Sequence, residues 1–148
     1  MYVGAGLILR NAKLNVILVR DARSQRWGFP KGHPEYVDKK NPVNTAVRET
    51  FEETGLKHDV DYVIDAVNGK RIGKRLYFTG ICLSEGFDKS KIPEGEISDV
   101  RWWSIDELFR NENVLNSDLR CWLRKLRLNK SPSFGPMMAA APVASSTI

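Results

Sequence analysis

The sequence predicts an α/β domain, and three observations carry that expectation. Apolar, strand-like runs recur along the chain, at Tyr2 to Arg10, Asn15 to Arg20, Tyr62 to Val67, Lys74 to Leu83 and Val100 to Trp103. Two other stretches place apolar residues at helical spacing, one opening at Pro42 and one running from Ser117 to Leu128. The length of 148 residues suits one domain, with a core that needs no metal or disulfide staple.

Composition narrows the class. At 42% hydrophobic and 28% charged residues, the chain can fill a core and still present a polar surface. No apolar run approaches the roughly 18 residues of a membrane span and no signal peptide precedes the first strand, so no membrane partner is expected. Cys82 and Cys121 lie far apart in apolar surroundings without metal-ligand spacing, which favours reduced thiols and a cytoplasmic setting. The net charge of +5 fits either simple solubility or a polyanionic partner such as RNA or polyphosphate. DNA is not an expected partner.

The elements follow in order. The first two strands read as a hairpin turned at Asn11-Ala12-Lys13, and Gly4 and Gly6 are expected to permit close backbone approach within the sheet. A basic loop, Asp21 to Arg26, leads to a short strand at Trp27-Gly28-Phe29. The first helix has Asn41 as its cap, Pro42 at its first position and Gly55 as its left-handed stop, with Val43, Ala46, Val47 and Thr50 facing the sheet. Asn68-Gly69 is a hairpin signal between the next two strands, and Lys70 to Gly73 reads as a basic loop. Of Lys70, Arg71, Lys74 and Arg75 there, either phosphate contacts or a solvated turn can be expected. Glu85 to Glu96 reads as a loop, and Ser104-Ile105-Asp106-Glu107 as a capping box opening a short helix. The final helix sets Leu119, Trp122, Leu123 and Leu126 on one face and Arg120, Arg124, Lys125 and Arg127 on the other. From Asn129 onward, three prolines, no acidic residues and no apolar period predict a disordered tail, so the expected domain spans residues 1–128.

Chemistry concentrates on the first helix. Glu49, Glu52 and Glu53 sit at offsets of zero, three and four, so three like charges crowd together about one turn apart. A solvated face can carry such a cluster, but a divalent cation turns the repulsion into a binding site. Arg48, four residues before Glu52, can pair with it and fix its rotamer.

Lys31-Gly32 followed by Arg48-Glu49-Thr50-Phe51-Glu52-Glu53-Thr54-Gly55-Leu56 resembles the Nudix box, G-x5-E-x7-R-E-U-x-E-E-x-G-U with U a bulky aliphatic. Two departures stand out. Thr50 replaces the aliphatic residue, and counting back eight from Arg48 lands on Lys40 where the family has glutamate. Gly32 then stands two residues too far upstream, which implies a two-residue insertion, with Asp38 or Glu35 as stand-ins for the missing carboxylate.

The resemblance covers Tyr2 to Leu128 and implies a Nudix α/β/α sandwich, a mixed sheet between helices with the box as loop-helix-loop. It implies Mg2+ or Mn2+ held by the Gly32 carbonyl, Glu49, Glu52, Glu53 and Glu96. Glu96 or Glu52 would accept the proton of the attacking water, Arg48 would belong to the catalytic set, and Lys31, Arg75 and Trp27 would meet substrate. On its own residues Glu96 has the alternative of an exposed loop carboxylate, and Trp27 that of a core ring. Trp27-Gly28-Phe29-Pro30-Lys31-Gly32 and Glu96-Ile97-Ser98-Asp99-Val100-Arg101-Trp102-Trp103 are similar to the branch that removes messenger-RNA caps. The Pro-Lys-Gly-His run is shared with dinucleoside polyphosphate hydrolases. The expected reaction is therefore metal-dependent hydrolysis of a pyrophosphate bond in a nucleoside diphosphate linked to another group, foremost at the 5′ end of RNA, with the basic last helix either binding RNA or only closing the fold. Hydrolysis of a dinucleoside polyphosphate or an inositol pyrophosphate is the alternative. A third reading, prompted by Lys40 and Thr50, is a catalytically impaired fold used for RNA or protein binding.

Overall fold

The computed structural model describes residues 2–66, 68–84, 92 and 94–129. The expected loop over Glu85 to Lys91, with Pro93, and the expected tail beyond Asn129 lie outside the described residues.

Among the described residues, eight strands form one mixed sheet: β1 (Ala5–Arg10), β2 (Val16–Asp21), β3 (Trp27–Gly28), β4 (Lys31–Gly32), β5 (Tyr62–Ile64), β6 (Lys70–Ile72), β7 (Arg75–Cys82) and β8 (Ile97–Trp103). Three α-helices accompany them among the described residues: α1 (Pro42–Thr54), α2 (Ile105–Arg110) and α3 (Ser117–Asn129). The sheet runs β3-β2-β1-β7-β5, with β8 on β2, β6 on β7 and β4 on β1. β1 runs parallel to β7 along its whole length, from Ala5 opposite Leu76 to Arg10 opposite Ile81. β2 is antiparallel to β8.

The first hairpin forms as the sequence predicts, but its strands share only the Arg10–Val16 register pair. They splay beyond it, and the gap receives the chain that leaves β3. Leu7 N–H donates to the Pro30 carbonyl at 3.1 Å, and β4 pairs with Ala5 and Gly6. A Cβ on Gly6 would overlap the Pro30 oxygen, so the expected close approach is real. This wedge brings Lys31 and Gly32 into the middle of the molecule.

Alternation along the strands builds two layers. Leu7, Leu9, Ile17, Val19 and Val100 face α1, where Ala46 is fully buried. Ile8, Val16, Leu18 and Trp103 face α2 and α3, meeting Leu108, Leu119 and Leu123. Each such side chain contributes about 1.5–3 kcal/mol on leaving water. The result is the expected helix–sheet–helix sandwich.

One element differs from expectation. Lys70 to Ile72 is strand β6, not a loop, and the hairpin turns at Gly73-Lys74 rather than at Asn68-Gly69. Gly73 has φ +62, the left-handed geometry that a tight turn demands and glycine adopts freely.

Candidate functional site

Local sequence fixes α1 at both ends. The Asn41 side chain accepts from the Val43 N–H at 2.9 Å, Pro42 fills the first position, and Gly55 at φ +79 stops the helix. Buried Thr45, Ala46, Thr50 and Thr54 seat α1 on the sheet, so Glu49 and Glu53 point along the β4 wedge.

There they meet a cavity of about 370 Å³ whose wall includes Lys31, Gly32, Glu49, Glu53, Arg75 and Glu96. The Lys31 N–H donates to Glu53 Oε1 at 3.2 Å. A Cβ on Gly32 would fall inside the Glu49 carboxylate, so the glycine is what lets that group lie against the bend. Burial pushes the Glu53 carboxyl up to about 8, with the Glu49 charge adding to the rise. Glu49 is raised as well, first by burial, with Glu52 and Glu96 contributing like charge against the opposing Arg48. Glu49, Glu53 and Glu96 thus share one wall at an electrostatic cost that a cation would relieve. Among the described residues no three His, Cys, Asp or Glu side chains already meet closely enough to cage a metal ion. The fit rests instead on donor chemistry: the Gly32 carbonyl and the Glu49, Glu53 and Glu96 oxygens are the hard ligands that Mg2+ or Mn2+ takes.

Three expected site residues fall elsewhere. Glu52 is half exposed and absent from the cavity wall, held by Arg48 Nη1 at 3.2 Å. Residues 52 and 53 are about 100° apart around a helix, and here Glu53 faces the bend while Glu52 turns to Arg48. Arg48 is also absent from the wall and acts as a brace: it reaches Asp38, Glu49, Glu52 and the His33 carbonyl. Trp27, expected against substrate, is a core ring only 7% exposed, packed edge-on to Trp103 at 5.3 Å. Its alternation on a two-residue strand points it into the α2–α3 layer.

The missing carboxylate is Asp38. Only 2% exposed, it accepts from Arg48 Nε and Nη2 at 2.9 Å each, from the Thr45 hydroxyl at 2.6 Å and from the Glu35 N–H at 2.9 Å. These donors hold it well below the usual carboxylate range, the Arg48 hydrogen bonds most of all. Glu35 is an exposed residue on the cavity rim, 3.4 Å from Arg48. The two inserted residues follow Asp38: Lys39 and Lys40 both adopt positive φ, 55° and 62°, and both are exposed. Sequence reading missed Asn116 and His33, which also line the cavity.

The NUDIX domain model matches residues 2–126. The Caenorhabditis elegans m7GpppN-mRNA hydrolase dcap-2 is 32% identical over 113 residues, and the Schizosaccharomyces pombe mRNA decapping complex subunit 2 is 30% identical over 114. These alignments cover 70% and 72% of this chain but 14% of either relative, so the chain spans a small part of the curated proteins it matches. A C. elegans Ap4A hydrolase structure superposes with a TM-score of 0.66 at 16% identity, covering 84% of this chain and 96% of that one, a likeness of fold. With the family model matched over nearly the whole described chain, and its box lying on the carboxylate-lined cavity, the protein belongs to the NUDIX domain family.

Proposed function

We propose that the protein hydrolyses a pyrophosphate bond in a nucleoside diphosphate linked to another group, at the 5′ end of RNA. The observation that carries this reading is the convergence of Glu49, Glu53 and Glu96 with Lys31 on one cavity in a chain related to two decapping proteins. Glu49, Glu53, Glu96 and the Gly32 carbonyl would hold Mg2+ or Mn2+, which supplies charge neutralisation of the diphosphate and a water of lowered pKa.

The chain's own residues do the rest. Lys31 brings a cationic donor to the phosphoryl oxygens, where the transition state spreads its charge, and Arg75 adds a second cation to the cavity wall. Glu96 lies exposed on the cavity wall and takes the proton that the attacking water gives up. Arg48, pinned by Asp38, keeps Glu49 turned toward Gly32. Support for RNA comes from α3, which begins beside the cavity and continues outward with Arg124, Lys125 and Arg127 exposed. Contacts of that kind make binding strongly salt-dependent. The third expectation, an impaired fold, loses its first motive because Asp38 fills the place that Lys40 left open.

The test offers capped RNA, free cap analogue and diadenosine tetraphosphate to the protein with Mg2+ and to its Glu53→Gln variant. Cleavage of long RNA in preference to both small substrates, lost in Glu53→Gln, is the expected result. Preference for the small substrates would replace RNA by a dinucleotide, and silence on all three would refute hydrolysis.

A further inference from the structure

Asp118, on the first turn of α3, is buried and far from the box in sequence. Three elements close around it. Tyr77 on β7 donates its hydroxyl to Oδ2 at 2.5 Å, Arg75 Nη1 approaches the same oxygen at 3.2 Å, and a Cβ on Gly73 in the β6–β7 turn would come within 2.6 Å of Oδ1. A carboxylate this deep needs a cation, and among the described residues Arg75 is the one it has. Nε and Nη2 of Arg75 have no hydrogen-bond partner among the described residues, and the side chain lines the cavity.

Two residues earlier stands Asn116, which caps α3. Its Oδ1 accepts from the Leu119 N–H at 2.9 Å and its own N–H donates to the Trp27 carbonyl at 2.8 Å. That bond commits the oxygen to the helix and leaves Nδ2 against Gly28, where a Cβ would overlap it. Nδ2 has no acceptor among the described residues, and Asn116 also lines the cavity. Arg26, another cation on the wall, already spends Nη1 on the carbonyls of Asn113 and Leu115.

We propose that the start of α3 organises an anion subsite in the cavity: Asp118 is a positioning residue that fixes Arg75, and Arg75 with the Asn116 amide binds a phosphate beyond the two that flank the scissile bond. The inference rests on the proposed hydrolysis for its meaning, and it assigns the substrate a bridge of three or more phosphates.

Inorganic tripolyphosphate and pyrophosphate, titrated in EDTA by calorimetry onto the full chain, test the subsite without turnover. Tripolyphosphate is expected to bind more tightly than pyrophosphate, and Arg75→Ala to weaken it by about tenfold or more, the loss of one charge-assisted contact. Asp118→Asn, which keeps Arg75, is expected to weaken it nearly as much, and the double variant no further. Should Asp118→Asn not fold, Arg75→Lys keeps the charge without the fork and carries the same expectation. With substrate, these variants raise KM for triphosphate-bridged compounds by a larger factor than for diphosphate-bridged ones, which a merely structural Asp118 would not do. Equal binding of the two anions, or indifference to Arg75→Ala, overturns the subsite. Indifference to Asp118→Asn overturns its positioning role. Binding as expected with no substrate cleaved refutes hydrolysis instead.

Discussion

Arg48 grips Asp38 with two nitrogens, Nε on Oδ1 and Nη2 on Oδ2, each at 2.9 Å. The pair is nearly dry, at 16% and 2% side-chain exposure, and the Thr45 hydroxyl, itself within 2.7 Å of the Tyr2 hydroxyl, completes the acid's shell. Removing one partner strands the other, so Asp38→Ala is expected to lose about 3–5 kcal/mol in urea unfolding. Asp38→Asn should lose less at neutral pH, since it can still accept.

The same pair sets an acid limit. Asp38 is held below its ordinary value, so its contribution is fully present above the unfolded carboxyl pKa of about 3.9 and fades as pH falls toward the folded value. The stability gap between the parent and Asp38→Asn is therefore expected to be constant from pH 7 to about 5 and to shrink below about 4. A gap that stayed constant down to pH 3 would show that the carboxyl titrates alike in the folded and unfolded chain, and so that Arg48 does not depress it.

The insertion gives a second comparison. Lys39 and Lys40 hold left-handed backbone that costs an L-residue about 1 kcal/mol against glycine. Lys40→Gly should raise stability by up to about that much. Lys40→Glu, which restores the motif letter, should not rescue Asp38→Ala, because residue 40 is exposed and beyond the place Arg48 reaches. Recovery of stability in that double variant would reverse the assignment.

Much of this was legible in the chain, and the failures share a cause. Asn41-Pro42, Gly55 and the Ser104–Glu107 box are local signals, and all mark helix ends in the structure. Asp38 was within reach too: counting forward from Gly32 passes five residues and arrives at it, which places the insertion after the acid. Counting back from Arg48 crossed that insertion and stopped at Lys40. Asn68-Gly69 misled because a strong local turn signal lost to the pairing of β6 with β7. Asn116 and Asp118 had no signal at all, since only the docking of α3 on β3 and β7 brings Asn116 to the cavity and Asp118 to Arg75.

Thr50 shows how a motif departure acts on stability rather than on the site. It is fully buried, faces the sheet, and its hydroxyl has no hydrogen-bond partner among the described residues. A stranded hydroxyl costs about 1–3 kcal/mol, so Thr50→Val should raise the urea midpoint by about 1 kcal/mol of stability while kcat and KM stay put. Loss of stability would mean that the hydroxyl is satisfied in solution.

Trp27 separates the two readings its neighbourhood invited. Its ring packs edge-on to Trp103, and Arg20 and Arg101 lie 5.6 and 5.8 Å from its centroid on the outer side. Truncating a ring buried this far opens a cavity, and Trp27→Ala is expected to cost about 3–5 kcal/mol. A ring that touched substrate would instead show its loss in KM. Trp27→Phe keeps most of the packing and serves as the functional probe: its KM for every hydrolysed substrate should match the parent's, with the thermal midpoint lowered. A rise in KM without loss of stability would move Trp27 from the core back to the substrate.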